Sequence, residues 1–243
     1  MEHRKKRLIS RFWETDKGLS FFLIMIVVAV FILPPLGSLR ILGRLILDIF
    51  FSLLLISGIA ALSANRRTFI FISGISFITL FIRWIDFLNP STPLYILDHF
   101  ATIASIILFC VVLIAHVLKK GPITFRRIQG AIAVYLLLGL AWANAYKMIE
   151  HFIPGSFSGA LTDIGRFTSW VYFSFVTLAT LGYGDIAPVS PVARSLAAAE
   201  AITGQLYLAI LIARLVSQEL YYRTSRDGEA TRDLIKDKTE NKS

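Results

Sequence analysis

Thr180-Leu181-Gly182-Tyr183-Gly184-Asp185 lies between a short aromatic, apolar segment and a long apolar helix candidate. Its two glycines flank a tyrosine, and glycine reaches backbone conformations that residues with side chains avoid. Alternating glycines therefore permit an unusual, nearly straight path on which the carbonyl groups all turn to one side. Rings of such carbonyl groups, contributed by several subunits, can replace the water shell of a dehydrated cation.

The composition indicates a membrane protein. Of the 243 residues, 56% are hydrophobic, and the mean hydropathy is +0.67, which is more apolar than is usual for a soluble domain of this size. The net charge of +9 would suit a nucleic-acid partner, but the basic residues gather in the short links between apolar segments and form no single face. This distribution is typical of membrane proteins, so we expect a lipid bilayer, and no nucleic acid, as partner.

Six apolar segments predict six transmembrane helices in an all-α fold, because about 20 apolar residues cross the hydrocarbon core as a helix. They are Leu19–Leu36, Ile41–Ser63, Thr68–Phe87, Leu94–Leu118, Ile128–Phe152 and Pro191–Val216. A further apolar piece, Phe167–Leu178, is too short to cross and lies just before the glycine motif. We predict that it is a re-entrant pore helix, since non-helical backbone at membrane depth must be buried in protein or line water.

The basic residues of the loops predict the orientation. They concentrate before the first segment, between the second and third, and between the fourth and fifth, whereas residues 86–98 contain none and residues 150–166 contain one arginine. Cytoplasmic loops carry the excess of Lys and Arg. We therefore expect an integral protein of the plasma (cell inner) membrane with both termini in the cytoplasm and the glycine motif toward the outside.

The sequence KKGP at Lys119–Pro122 would end a helix and begin a linker, and it divides the chain into parts. These are a basic cytoplasmic N-terminus (1–17), a four-helix front module (18–118), a basic cytoplasmic linker (119–127), a pore module (128–216) and a polar cytoplasmic tail (217–243). We expect the last apolar helix to extend only briefly into the tail and then fray. The tail is too short for a soluble ligand-binding domain.

Residues 128–216 resemble the pore module of potassium channels, whose filter usually reads TVGYGD or TIGYGD. The filter positions match Thr180, Leu181, Gly182, Tyr183 and Gly184. The resemblance implies that K⁺ is bound by the backbone carbonyls of residues 180–183, that Asp185 shapes the outer mouth, and that no cofactor is needed besides the permeant ions. It also implies a homotetramer, because one strand supplies a quarter of each ring.

Other residues are placed around this filter. Support for the filter is expected from Tyr172, Phe173, Val176, Arg194 and Glu200, and the inner-helix hinge and cavity from Gly204, Gln205, Leu208 and Ile212. Gly204 lies 22 residues after Gly182, at the family's hinge position, and a mid-helix glycine makes bending less costly. For Glu200, bracing of the pore helix or of Arg194, and a role in gating or proton sensing, are alternative interpretations.

Two positions depart from the family pattern. Leu181 replaces the usual valine or isoleucine, and Ala179 replaces a common threonine. Neither substitution changes the number of carbonyl groups. We therefore expect them to affect conductance and inactivation more than ion preference.

The four helices before the pore resemble the plan of voltage-gated channels, but the sensor is missing. A sensor needs Arg or Lys at every third position of the fourth helix, and here no charged residue follows His99 as far as Ala115. We predict weak or absent voltage dependence. Asp48, deep in the second segment, lies four residues after Arg44 and predicts an ion pair along that helix, with proton sensing as the alternative.

Enzyme chemistry is disfavoured. The four histidines are widely separated without metal-ligand spacing, and the stretch GSFSG at Gly155–Gly159 has Phe157 where a nucleophilic serine would stand. The functional alternatives are a non-conducting or regulatory membrane subunit with a pore-like fold, and a less selective cation channel.

Overall fold

The chain folds mainly into helices. The computed structural model describes residues 17–32, 40–62, 66–89, 91–118, 124–159 and 166–240. Its helices are α1 (Lys17–Val27, continued as the π-helix Val28–Ile32), α2 (Arg40–Leu62), α3 (Arg66–Leu88), α4 (Thr92–Val117), α5 (Phe125–Phe152), α6 (Arg166–Leu178) and α7 (Pro191–Glu240). Two short antiparallel strands, β1 (Phe157–Gly159) and β2 (Ile186–Pro188), form a ribbon that the sequence did not predict.

Four helices of the described chain are long and apolar enough to cross a membrane. They comprise Phe69–Leu88, Thr92–Val117, Phe125–Phe152 and Pro191–Leu220. The prediction of a helical membrane protein is confirmed in this coarse sense. The described apolar parts of the first two predicted spans are shorter, Gly18–Ile32 and Asp48–Gly58, so the total of six spans stays a prediction.

Helix α5 forms the centre of the hydrophobic core. It packs against α1, α4, α6 and α7, and 61% of its most apolar stretch is buried. One continuous core joins Phe22 of α1, Phe109 of α4, Leu137 of α5 and Phe173 of α6, so it crosses the predicted boundary between front and pore modules. Small residues on α5 such as Gly139, whose added Cβ would meet the Phe175 ring at 2.5 Å, allow this close approach.

The predicted end of the last helix is wrong. Helix α7 continues without interruption from Pro191 to Glu240, whereas we expected it to extend only briefly beyond Val216. No proline follows Pro191, and nine of the 27 residues of the tail are Glu, Lys or Arg, which are good helix formers. The polar composition of the tail therefore marks the end of the apolar part, not the end of the helix.

Some predictions fall on parts of the chain beyond the described residues. These parts are residues 1–16 of the predicted N-terminal segment and residues 119–123 of the predicted linker. The Arg44 side chain also lies outside the described residues, so its pairing with Asp48 stays a prediction.

An ion-pair cluster joins three helices of the front module. Arg83 of α3 donates two hydrogen bonds to Asp98 of α4, Nε to Oδ1 at 3.2 Å and Nη2 to Oδ2 at 3.0 Å. Its Nη1 lies 3.6 Å from Oδ1 of Asp48 on α2, and the guanidinium lies 4.2 Å from the centroid of the Phe51 ring. The side chains of Arg83 and Asp98 are only 14% and 7% exposed, so each charge depends on its partner.

Replacing Arg83 with methionine is expected to destabilise the fold by about 3 kcal/mol, because it leaves the buried Asp98 carboxylate without its cation. The double variant R83M/D98L should recover most of this loss, since a buried pair can be replaced by apolar side chains at little cost. Thermal unfolding of the purified protein in detergent measures both changes. Equal stability of wild type and R83M would contradict a stabilising ion pair.

Candidate ion-conduction site

The backbone of the glycine motif alternates in the sign of φ. Thr180, Gly182 and Gly184 have φ of +56°, +59° and +81°, and the two residues between them do not have positive φ. When left-handed and right-handed residues alternate, peptide N–H groups turn to one side of the strand and carbonyl groups to the other. Thr180 is the one non-glycine residue with positive φ in the described part of the chain, which marks it as conformationally specialised.

Helix α6 holds the start of this strand through its own last carbonyl groups. The N–H of Thr180 donates to the Thr177 carbonyl at 2.9 Å, and the N–H of Leu181 donates to the Val176 carbonyl at 2.8 Å. These bonds use N–H groups of the strand and none of its carbonyl groups. Because the carboxyl end of a helix carries a partial negative charge, a cation near the end of α6 would be stabilised.

The carboxyl end of the motif lies against the ribbon. Gly159 of β1 pairs with Ile186 of β2 and has φ of +111°, and an added Cβ there would lie 1.9 Å from the Asp185 carbonyl oxygen. The backbone before α6 thus lies directly against the backbone after the glycine motif. The side chain of Asp185 accepts a hydrogen bond from the Tyr172 hydroxyl of α6.

The predicted supporting residues point in different directions. Tyr172 is exposed and reaches Asp185, whereas Phe173 is buried and packs edge-on against Tyr146 and Phe157, with ring centroids 4.9 and 5.4 Å apart. Val176 is buried and contributes its carbonyl to the Leu181 N–H. The bonds of Val176 and Tyr172 therefore reach the glycine motif, while Phe173 belongs to an aromatic cluster between α5, α6 and the ribbon.

The side chains of Arg194 and Glu200 bond to different parts of the structure. The exposed Arg194 donates from Nε to the Pro188 carbonyl at 3.3 Å and so ties α7 to the ribbon. Glu200 is fully buried; it accepts a hydrogen bond from the Tyr146 hydroxyl of α5, and its Oε1 lies 2.5 Å from Ser174 Oγ of α6. Of the two contacts considered for Glu200, the described structure contains the one with α6, the predicted pore helix.

Ser174 and Tyr146 were missed by the sequence analysis. Both are fully buried, and Ser174 Oγ also lies 2.7 Å from the Gly139 carbonyl oxygen of α5. The available signal was a serine in the middle of the apolar helix α6. Its partners are 35 and 26 residues away in sequence, so no local pattern could name them.

Gly204 makes a close contact as well as occupying the expected hinge position. A Cβ at this residue would lie 2.4 Å from the Leu178 carbonyl oxygen and 3.0 Å from Leu178 Cδ1. Helix α7 therefore touches the carboxyl end of α6 at Gly204. One residue on, Gln205 Nε2 donates to Thr180 Oγ1 at 3.4 Å, while Leu208 and Ile212 are exposed in the single chain.

Comparison with known proteins finds a match for the segment that contains the glycine motif. The sequence model of a family described as "Ion channel" matches residues 132–219. This segment is similar to ion channels. The match covers most of α5, all of α6, the glycine motif and nearly all of the apolar part of α7.

Named relatives include three proteins from different organisms. The inward rectifier potassium channel Kirbac3.1 of Paramagnetospirillum magnetotacticum is 37% identical over 93 residues, which cover 37% of this chain and 27% of the relative. The two-pore potassium channel c of Oryza sativa subsp. japonica is 31% identical over 35% of this chain and 17% of the relative. Protein LctB of Bacillus caldotenax is 32% identical over 34% of this chain and 64% of the relative.

The similarity confirms a relationship of this segment to potassium channels. The chain spans about a quarter of the length of the inward rectifier and less of the rice channel. The matched part is in every case about a third of this chain. No solved structure matches the chain.

Proposed function

We propose that this chain is one subunit of a homotetrameric, potassium-selective channel. The observation that carries the proposal is the alternating φ of Thr180, Gly182 and Gly184 directly after a short apolar helix whose last carbonyl groups hold the strand. In the proposed tetramer the carbonyl groups of residues 180–183 form successive rings that replace the hydration shell of K⁺. Helix α6 is then a re-entrant pore helix, and both termini lie in the cytoplasm.

The exposed surface of α7 supports a tetramer. Only 11% of the most apolar stretch of α7 is buried in the single chain. Large apolar side chains are exposed along this stretch: Ile202, Leu206, Ile210, Ile212 and Val216. On a membrane helix, exposed apolar side chains of this kind are covered either by lipid or by neighbouring protein. In a fourfold assembly part of this surface would pack on neighbouring subunits, and Gln205 and Leu208 would face the central cavity with Ile212 at its inner mouth.

The proposed selectivity is tested by reconstituting the purified protein in planar bilayers with K⁺ on one side and Na⁺ on the other. We expect a reversal potential displaced by about 59 mV for each tenfold preference for K⁺, and block by barium. Current that reverses near zero would favour the less selective cation channel, to which Leu181 and Ala179 could contribute. Tetramers that carry no current under any condition would favour the regulatory subunit.

Voltage dependence is expected to be weak. In the described structure the charged side chain of α4 is Asp98, which is paired with Arg83, and the helix has no Lys or Arg that could move as a gating charge. We expect a gating valence below about one elementary charge, compared with the three or four charges per subunit of voltage sensors. Conductance measured over a wide voltage range tests this expectation, and steep activation on depolarisation would contradict it.

A further inference from the structure

A buried carboxyl group lies behind the proposed filter without a cationic partner among the described residues. Glu200 of α7, Tyr146 of α5 and Ser174 of α6 are all fully buried. The nearest candidate cation on the same helix, Arg194, instead donates to the Pro188 carbonyl. An ionised carboxylate in such a place is costly unless it is paired.

Three short contacts between oxygen atoms connect these helices. The Tyr146 hydroxyl bonds Glu200 Oε2, Glu200 Oε1 lies 2.5 Å from Ser174 Oγ, and Ser174 Oγ lies 2.7 Å from the Gly139 carbonyl oxygen. The two contacts of Ser174 have the distances of O–H···O hydrogen bonds, and the Tyr146 contact is closer still, so each contact requires one hydrogen between its two oxygens.

The hydrogens can be counted. A tyrosine and a serine hydroxyl supply one hydrogen each, and a backbone carbonyl supplies none. Two hydrogens cannot serve three contacts, so the third must come from the carboxyl group. A protonated Glu200 completes the set: Tyr146 donates to Oε2, the carboxyl O–H donates to Ser174, and Ser174 donates to the Gly139 carbonyl.

We infer that Glu200 is a positioning residue that acts in its neutral, protonated form and ties the pore helix α6 to both α5 and α7. This inference rests on the proposed channel function. Ser174 lies two residues before Val176, whose carbonyl holds the Leu181 N–H, so the chain of hydrogen bonds anchors α6 next to the strand that binds ions. The groups that face the carboxyl are the hydroxyls of Tyr146 and Ser174, with Tyr135 of α5 within electrostatic range.

Three variants and one control separate a neutral from an ionised Glu200. Glu200→Gln keeps a donor for Ser174 and an acceptor for Tyr146, whereas Glu200→Ala removes both and Ser174→Ala removes the link to α6. We expect E200A and S174A to lower the open probability about tenfold, because buried partners are left unsatisfied, and E200Q to restore most of the current that E200A loses.

The control, Thr203→Ala, removes a hydroxyl that bonds the Ala199 carbonyl of its own helix and should keep the wild-type current. If Glu200 acted in its ionised form, E200Q would be as defective as E200A. Equal currents in E200A and wild type would contradict the positioning role of Glu200.

An infrared measurement tests the protonation state without any current. The folded protein at neutral pH should show the carbonyl stretch of a protonated carboxylic acid, and this band should be lost in E200Q and kept in T203A. Absence of the band from the wild type would overturn the inference while leaving the potassium channel intact. A silent or non-selective wild type that keeps the band would contradict the proposed function but not the neutral Glu200.

Discussion

Gly182→Ala is expected to abolish the preference for K⁺ over Na⁺. Gly182 has φ of +59°, and an added Cβ would meet no atom within 4 Å in the single chain, so the effect comes from the backbone conformation and not from a clash. An L-residue in this conformation costs roughly 1–2 kcal/mol, or about 4–8 kcal/mol over four subunits. The strand then relaxes toward negative φ and withdraws carbonyl groups from the ion path.

The measurement is the reversal potential with K⁺ and Na⁺ on opposite sides, compared between wild type and G182A. Gly155→Ala is the matched control, because Gly155 has φ of +81° and open space around its Cβ but lies in the loop before β1. It should carry a similar cost in stability and keep the wild-type reversal potential. A G182A channel with unchanged selectivity would show that these carbonyl groups do not select the ion.

Gly204→Ala is expected to destabilise the protein by about 1 kcal/mol for each subunit and to lower the current. The added Cβ would lie 2.4 Å from the Leu178 carbonyl oxygen, and a backbone atom cannot rotate away as a side chain can. Overpacking of this kind costs about 1–3 kcal/mol, which outweighs the gain of up to about 1 kcal/mol from replacing a helical glycine by alanine. Helix α7 must therefore shift away from the end of α6.

Thermal unfolding and single-channel recording of G204A distinguish packing from hinge bending. If Gly204 served only as a hinge, alanine would stiffen α7 and alter gating without loss of stability. Gly74→Ala is the control, because Gly74 of α3 has no atom within 4 Å of an added Cβ and should gain stability from the better helix former. Greater stability in both variants would contradict the packing role.

The local pattern of the pore segment predicted its elements closely. Helix α6 was expected at Phe167–Leu178 and is found at Arg166–Leu178, and α7 begins at the predicted Pro191. Continuous apolar character and glycine or proline at the ends depend on neighbouring residues alone, so they can be recognised without the fold. The two-stranded ribbon was missed because each strand has only three residues and each is stabilised by a partner about 30 positions away.

The end of α7 shows the limit of reading polarity as an end signal. The change from apolar to polar residues near Val216 was taken as the end of the helix, but it marks only the end of the surface suited to lipid or protein. Helix propensity continues through the tail. Polarity reports which surface suits lipid or protein, whereas helix propensity reports whether the backbone stays helical. In α7 the apolar surface ends before the helix does.

The residues of the chain were sufficient to predict a membrane protein, a short helix followed by the glycine motif, and a relationship to potassium channels. Each of these depends on composition or on a short run of adjacent residues. Folding brought together what was distant: Arg83 with Asp98 and Asp48, Gly204 with Leu178, and Glu200 with Ser174 and Tyr146. In each case one side chain, or the absence of one, could be singled out from the sequence, but its partner lies on another helix. The partner depends on how the helices cross and on which of their faces are buried, and these follow from packing of the whole core.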